Sequence, residues 1–518
     1  MRLSTNRIIS ARVAVLAFAC ALLPTSYVCG ELQDLAFTIT LTPVRDATGV
    51  VAAIDVDENI GATTSSDKPS FGLIAPIANV GVTQIADRVT GLTVKDQTGL
   101  VPLRSEDDAP AIGGSAYYRH WRANREIAYP VAIHYRAAVQ PAGSPNGPSF
   151  GLRPAGGGVA GGGAGFLLLP ENAGTKSSHL HWNVSGLAEG SIGVISSGEG
   201  DVDIPGPPSS LNEQWMLAGP VGSYRAQDGS PFFAYWLGTP PFDAAEEMAW
   251  TARAYAYLAK SFRYLNPPPP YRVFIKTMDS PPYGGGSAMP WPGGGFLLGI
   301  GTTYRHGQDL NEIRETFFHE MTHQWTGHMQ EEGSWFTEGL TVYYSTILPL
   351  RGDLETVDQY GKTINKLALK YYESPSRNWT EEKINQSGFS NEDARQTPYQ
   401  RGALYFADLD FKLRASSGGK VNLDTVLYPL FVARSKGTPL TQEAWETMLT
   451  RQLGPDAVAD FRRSVIDASK MIVPASGAFG PCFSRESASP SSAEDSPMAS
   501  GYRWRRIAAI PDEHCRDW

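Results

Sequence analysis

The stretch TFFHEMTHQW, residues 316–325, decides the fold, because it places the pattern His-Glu-x-x-His inside a run with helical character. Residues four positions apart lie on one face of an α-helix, so the imidazoles of His319 and His323 can reach the same metal ion. Glu320 lies about 100° further round the helix, where a carboxylate can take a proton from a metal-bound water. The pattern predicts a catalytic zinc site with Glu320 as the general base.

A second stretch, SWFTEGLTVYY at residues 334–344, places the acidic Glu338 in an otherwise apolar helical run. A carboxylate is costly to bury without a partner, and a metal ion is such a partner. Two His and one Glu leave the fourth position of a tetrahedral Zn²⁺ for water, as in catalytic sites. We therefore expect one Zn²⁺ per chain, bound by His319, His323 and Glu338. The alternative is an amphipathic helix that carries two histidines without a metal.

The chain on the N-terminal side of this site has the pattern of a β-domain. Residues 31–205 alternate β-branched and apolar residues with Gly, Pro and Asp turns, as in Phe37–Leu41 and Val131–Tyr135. Because we find no long amphipathic helix there, a β-sandwich is the natural prediction.

After about residue 240 the pattern changes to helix. We predict a helix over Asp243–Tyr264 and strands at Tyr271–Lys276 and Leu297–Thr303. Residues 310–466 are predicted to be mostly helical, including helices over 310–329 and 441–466. The expected fold class is therefore multidomain α+β, with an N-terminal β-sandwich, a zinc-bearing domain and a C-terminal helical region.

Composition limits the partners. The 518 residues suggest about two to four domains, and the 44 Lys plus Arg against 53 Asp plus Glu give a formal net charge of −9. Nucleic-acid phosphates need a basic surface, and the sequence has no long basic run. We therefore expect no nucleic-acid partner.

The N-terminus has the features of a secretory signal. Three arginines precede the apolar run at residues 13–23, which is too short to span a bilayer. A cut after Gly30 would place Val28 and Gly30 at the small-residue positions of a signal cleavage site. We expect an exported protein, periplasmic or extracellular, without a stable membrane span. The alternatives are an uncleaved anchor and, less favoured, lipid attachment at Cys29.

The positions of the cysteines support the prediction of export. Of the four cysteines, Cys20 and Cys29 lie in the expected signal, which leaves Cys482 and Cys515 as a possible disulfide pair. The Ser-, Ala- and Pro-rich stretch 484–500 between them is expected to be loose unless the bridge holds its ends.

His-Glu-x-x-His followed by Trp-x-x-Glu-Gly resembles the gluzincin metallopeptidases, which include the aminopeptidase N and glycyl aminopeptidase families. The resemblance implies a thermolysin-like catalytic domain in which the two His and the distant Glu bind zinc. The stretch TPYQRGAL at residues 397–404 resembles the family segment whose tyrosine stabilises the tetrahedral intermediate. It implies that role for Tyr399, whose alternative is a buried core tyrosine.

The glycyl aminopeptidase family is most similar over residues 315–430. With that resemblance, the expected organisation is a signal at 1–30, a β-sandwich at 31–215, a thermolysin-like domain at 216–350, a helical domain carrying Tyr399 at 351–475 and a C-terminal tail at 476–518.

Two departures from the family pattern matter. The 14 residues between His323 and Glu338 are fewer than is usual in aminopeptidase N relatives, so the turn must be tight. In PYGGGSAMPW, residues 282–291, Pro290 stands where those relatives have a Glu that grips the substrate amine. The backbone of this segment could still pair with an extended peptide. Its expected substrate-binding residues are Gly285, Gly286, Ser287, Ala288 and Met289.

The function predicted from these observations is that of an exported zinc metallopeptidase, aminopeptidase-like, which hydrolyses peptide substrates. Because Pro290 replaces the amine-binding Glu of the family, both exopeptidase and endopeptidase activity stay open. Two alternatives also stay open: a secreted peptide-binding protein on a metallopeptidase scaffold, and a zinc hydrolase of a non-peptide bond.

Overall fold

The computed structural model describes residues 36–61, 71–111, 113, 115–144, 150–171, 173, 175–278, 286–289, 294–301, 310–330, 333–488, 501–516 and 518. The expected signal at residues 1–30 lies outside the described residues.

Short strands make up the chain before residue 220. They are β1 (Ala36–Arg45), β2 (Val51–Ile60), β3 (Gly72–Ala78), β4 (Val89–Asp96), β5 (Gly99–Leu100), β6 (Leu103–Asp107), β7 (Tyr117–Ala123), β8 (Val131–Ala138), β9 (Arg153–Ala155), β10 (Gly158–Gly162), β11 (Leu169–Pro170), β12 (Ser177–Trp182), β13 (Ile192–Ile195), β14 (Gly198–Glu199), β15 (Val202–Pro205) and β16 (Trp215–Gly219).

These strands form three sheets around one apolar core. The strand orders are β15-β12-β1-β2-β8-β4-β5, β14-β13-β16-β10-β9 and β11-β3-β7-β6. Along β8, buried and exposed residues alternate, as expected for a sheet with one face in the core. Phe37 of the first sheet, Met216 of the second and Leu73 of the third belong to the same buried cluster. This layered β-domain agrees with the predicted β-sandwich.

A fourth sheet and a helix follow. They are built from β17 (Gly222–Arg225), β18 (Phe232–Leu237), α1 (Ala244–Phe262), β19 (Tyr271–Met278), β20 (Gly286–Met289) and β21 (Gly295–Gly301). The strand order is β17-β18-β19-β21-β20, so β20 is an edge strand, antiparallel to β21. Helix α1 begins at the N-cap Asp243, whose side chain accepts from the backbone N–H of Glu246.

Helices make up most of the chain after residue 309. They are α2 (Leu310–Thr326), α3 (Ser334–Arg351), α4 (Val357–Glu373), α5 (Glu381–Ser387), α6 (Glu392–Ser417), α7 (Leu423–Ser435), α8 (Gln442–Leu453) and α9 (Pro455–Phe461), with a π-helical turn at residues 462–466. The single helix predicted over 441–466 was wrong, because Gly454, at φ 86°, separates α8 from α9. No helix among the described residues is long and apolar enough to cross a membrane.

The C-terminal tail forms a hairpin of β22 (Phe483–Ala488) and β23 (Gly501–Arg506). The residues of β22 are therefore not loose, as expected where a bridge holds the ends of the stretch. Cys482 and Cys515 are joined by a disulfide bond. Asn365 on α4 pairs with the backbone of Trp504 on β23, with hydrogen bonds of 2.9 and 2.8 Å. The bridge and these bonds hold the hairpin against α4. The middle of the stretch, residues 489–500, lies outside the described part.

Candidate active site

Helix α2 carries the His-Glu-x-x-His residues on a well-anchored scaffold. Its apolar residues recur every four positions, at Ile313, Phe317, Met321 and Trp325, and all four are buried in one cluster with α1 and the fourth sheet. Gly327, at φ 59°, follows the last residue of α2. Arg434 on α7 donates to the carbonyls of Thr326 and Trp325, 2.5 and 2.8 Å away. The helix end is thereby fixed just after the motif.

Three side chains converge between α2 and α3. The Nε2 atoms of His319 and His323 lie 3.1 Å apart, and they lie 3.4 and 3.3 Å from Oε2 of Glu338. Tetrahedral zinc with bonds of about 2.0–2.1 Å has ligand atoms roughly 3.3–3.4 Å apart. The three separations therefore fit a common Zn²⁺, and these residues are a group that could hold a metal within the described chain.

The charges of the three groups also fit a cation. Oε2 of Glu338 is buried and has no hydrogen-bond partner in the described residues. Burial by itself would raise the pKa of Glu338, but the two imidazoles that face the carboxylate outweigh it and lower that pKa below its usual range. Two imidazole nitrogens and a carboxylate oxygen this close to one another need a positive charge between them.

Thr341 on α3 orients one of the imidazoles. Its hydroxyl donates to the carbonyl of Thr337, 2.7 Å away, and lies 3.3 Å from Nδ1 of His323. Because the hydroxyl proton is used, Thr341 accepts from the Nδ1–H, which leaves the lone pair of Nε2 for a metal. Sequence reasoning missed Thr341. No local pattern marks this threonine, because its role depends on α3 facing His323 of α2.

Glu320 lies beside the three ligand atoms, as its helical position predicts. The backbone N–H of Ala288 on β20 donates to its carboxylate. Burial raises the pKa of Glu320 to about 7, with the nearby Glu338 adding to the rise and His319 opposing it. A carboxylate with a pKa near neutrality can both take and return a proton.

Tyr399 on α6 completes the cluster. Its ring stacks on the imidazole of His319, with centroids 6.0 Å apart and an interplanar angle of 19°. Burial raises the pKa of Tyr399 well above its usual value, and the negative charge of Glu338 adds to this effect. The phenol is therefore protonated at neutral pH and able to donate a hydrogen bond.

Two glycines let α3 and α6 approach each other closely behind the site. A Cβ added to Gly339 would lie 2.4 Å from Cα of Gly402, and one added to Gly402 would lie 2.1 Å from the carbonyl oxygen of Trp335. Gly339 follows Glu338 directly, and Gly402 lies three positions after Tyr399. The glycine contact therefore sets the distance between the helices that carry these two residues.

The site opens into a cleft with two arms, which share His319, Glu320, Arg395 and Tyr399. We call the arm of about 310 Å³ the ligand-side arm. It is further lined by residues that include Val80, Phe150, Ala288, His323, His328, Glu338 and Phe389. We call the arm of about 380 Å³ the lysine-side arm. It is further lined by residues that include Glu315, Thr316, Thr363, Lys366, Lys370 and Gln396.

The glycine-rich segment reaches the cleft through β20. Gly286, Ser287, Ala288 and Met289 form this edge strand, and Ala288 lines the ligand-side arm. Gly285 and Pro290 lie outside the described residues. The outer edge of β20 faces away from β21, its neighbour in the sheet.

Comparisons with known proteins agree with this site. Residues 304–405 match the family model of the M61 glycyl aminopeptidases. This segment includes His319, Glu320, His323, Glu338 and Tyr399. The match supports a metallopeptidase, a hydrolase that acts on peptide bonds. A comparison with curated protein sequences gave no significant match.

Several solved structures have a similar fold. An aminopeptidase N family protein from Idiomarina loihiensis superposes with a TM-score of 0.66 and 16% identity, over 88% of this chain and 80% of that one. A mutant M1 zinc metallopeptidase from Deinococcus radiodurans, bound to a Tyr-Ser-Ala substrate, gives 0.50 and 17% over 85% and 96%. Yeast LTA4 hydrolase with bestatin gives 0.50 and 14% over 85% and 68%. The shared fold is mixed α+β, with an N-terminal β-rich domain and a C-terminal helical region.

Proposed function

We propose that this chain, which carries an M61 glycyl aminopeptidase segment at residues 304–405, is an exported zinc metallopeptidase of the aminopeptidase type. The observation that carries the proposal is the convergence of the His319, His323 and Glu338 ligand atoms within 3.4 Å of one another, between Glu320 and Tyr399. Ligands, base and hydrogen-bond donor are the parts that hydrolysis of an amide by an activated water requires.

His319, His323 and Glu338 would hold Zn²⁺, which supplies a water of lowered pKa and polarises the scissile carbonyl. Glu320 takes a proton from the attacking water and holds it while the tetrahedral carbon forms. It then delivers that proton to the leaving nitrogen. The hydroxyl of Tyr399 donates to the carbonyl oxygen as negative charge develops there, an interaction worth roughly 3–4 kcal/mol at other oxyanion sites.

Strand β20 is the proposed docking edge for the peptide. An extended peptide can add to an exposed strand edge through main-chain hydrogen bonds, which suits a segment of small residues. The N–H of Ala288 points to Glu320, so the edge and the base are already in contact. A peptide paired with β20 would therefore pass over Glu320.

The ligand-side arm is the proposed site of the substrate's N-terminal residue. Val80 and Phe150 of the β-domain and Phe389 of the helical region contribute apolar side chains to it. Val80 has φ 48° and is followed by Gly81 at 79°, a tight turn. Beside these apolar side chains, the arm is lined by the reacting groups Glu320 and Tyr399, so a residue bound in it lies next to the scissile bond.

Export is proposed from the N-terminal sequence, with its three arginines and short apolar run. The disulfide between Cys482 and Cys515 supports this, since such bonds persist in oxidising compartments.

The test is cleavage-site profiling of the zinc-loaded chain on matched peptides with free and blocked N-termini. An aminopeptidase releases the first residue of the free peptides and leaves the blocked ones intact. Internal cleavage of blocked peptides would replace the exopeptidase assignment by an endopeptidase one. A stoichiometric zinc without any cleavage would contradict the enzyme proposal and favour a peptide-binding protein.

A further inference from the structure

We propose that the lysine-side arm binds a carboxylate on the leaving part of the peptide, either its C-terminal carboxylate or the side chain of an acidic residue just after the scissile bond. The preferred substrates are then short peptides with a free C-terminus or peptides with Asp or Glu at that position. This inference rests on the proposed peptidase function and names its substrate class.

Two cationic side chains of the arm lie on helix α4, and a third, Arg395, lies on α6, where it is paired with Glu392. Lys366 and Lys370 are four residues apart and so project from one face of α4, and both line the lysine-side arm. The arm is continuous with the reacting groups, because Glu320 and Tyr399 line it as well. A peptide whose scissile bond lies at Glu320 can therefore extend along the arm to α4.

The two lysines differ in their partners. Nζ of Lys366 lies 3.3 Å from Oε1 of Glu312 and 3.4 Å from Oε2 of Glu315, so that charge is compensated within the protein. Lys370 is exposed and forms no ion pair with any described residue. Partial desolvation and the neighbouring charge of Lys366 lower its pKa, with Glu315 and Glu312 opposing them. An anion in the arm would give Lys370 a charged partner.

Electrostatics also determines which end of the peptide enters this arm. Glu320 and Arg395 line both arms, so the difference in charge between the arms comes from the other residues. Lys366, Lys370 and Glu315 line only the lysine-side arm, and because Glu315 is paired with Lys366, the charge of Lys370 is left to repel a substrate's free ammonium group there. The N-terminal part therefore occupies the ligand-side arm. The leaving part then extends from Glu320, the proton donor to its nitrogen, toward α4.

The experiment measures kcat/KM of the zinc-loaded full chain on four tripeptides. Ala-Ala-Ala as the free acid is compared with its C-terminal amide, and Ala-Glu-Ala amide is compared with Ala-Gln-Ala amide. The first ratio reports recognition of the C-terminal carboxylate, and the second reports recognition of an acidic side chain. The variants are Lys370→Gln and, as a control, Lys362→Gln, which removes an exposed lysine of α4 that does not line the arm.

We expect at least one of the two ratios to be about tenfold in favour of the carboxylate, the gain typical of a charge-assisted hydrogen bond. That ratio should fall toward one in Lys370→Gln and stay at the wild-type value in Lys362→Gln. Cleavage of all four peptides with both ratios near one, or a ratio that survives Lys370→Gln, would overturn this inference alone. If no peptide were cleaved, the proposed function would fail and this inference with it.

Discussion

The hydroxyl of Thr341 decides which nitrogen of His323 is available to a metal, because it accepts a hydrogen bond from the other one. Removing it with Thr341→Val keeps the side-chain shape and leaves Nδ1 without an acceptor. We expect zinc affinity to fall by about 10–100-fold, the usual cost of losing a partner behind a metal-bound histidine. Competition with a fluorescent zinc chelator measures this.

The matched control is Thr251→Val. Thr251 is a buried threonine on α1 whose hydroxyl donates only to the carbonyl of Glu247, 2.7 Å away. This variant should keep wild-type zinc affinity while losing a comparable hydroxyl. Equal affinities in Thr341→Val and the wild-type chain would show that the tautomer of His323 does not depend on Thr341.

The residues of the site differ in how far the sequence alone predicts their roles. His319, Glu320 and His323 follow from local helix geometry alone, and Glu338 from its unusual place in an apolar run. Thr341 and Lys370 could not be predicted, because their roles depend on which helices face each other. The sequence contains that information only through non-local packing.

At the scale of elements, the contact between α3 and α6 sets the site. A Cβ at residue 402 would lie 2.1 Å from a backbone oxygen and 2.7 Å from Cα of Gly339, and backbone atoms cannot move aside cheaply. Gly402→Ala should therefore push the helices apart, displace Glu338 relative to Tyr399, and lower the free energy of unfolding by about 1–3 kcal/mol. Urea denaturation and peptidase assays measure the two effects.

Gly186→Ala is the control for this variant, because a Cβ at that position would meet its nearest heavy atom at an ordinary 3.7 Å. It should change neither stability nor activity appreciably. If Gly402→Ala behaved like Gly186→Ala, the close approach of the helices would not be required for the site.

Helical patterns predicted the elements around the site more reliably than the residues at which they end. The helix predicted over 310–329 is found as α2 at Leu310–Thr326. The short α5 was not predicted, since seven residues give too little periodicity. The hairpin of β22 and β23 was missed because its strands are polar and are held by α4 and the disulfide.

At the scale of the whole molecule, the disulfide encloses 32 residues between Cys482 and Cys515, and its hairpin supports the helix that carries Lys366 and Lys370. Closing a loop of this length stabilises the folded state by about 3–4 kcal/mol on the chain-entropy account. A reducing agent should therefore lower the denaturation midpoint of the wild-type chain. The Cys482→Ser variant should already have the lower midpoint and should not respond further.

The cleft itself is a property of the whole fold. Its ligand-side arm brings together Val80, Phe150 and Phe389, which are far apart in the sequence and belong to segments with different secondary structure. The motifs predicted the metal ligands, but no local pattern indicates that the β-domain contributes to the same cleft. This is the part of the site that only the assembled fold provides.

The central claim is that His319, His323 and Glu338 hold one catalytic zinc and that Glu320 is the general base. Its most direct test is to measure zinc content and peptide cleavage together in the wild-type chain and in Glu320→Gln, which keeps the size of the side chain and removes its basicity. We predict one zinc per chain in both proteins and a rate of peptide cleavage at least about 10²-fold lower in the variant, the lower range for general-base catalysis. Full cleavage activity in Glu320→Gln, or no zinc in the wild-type chain, would contradict the account.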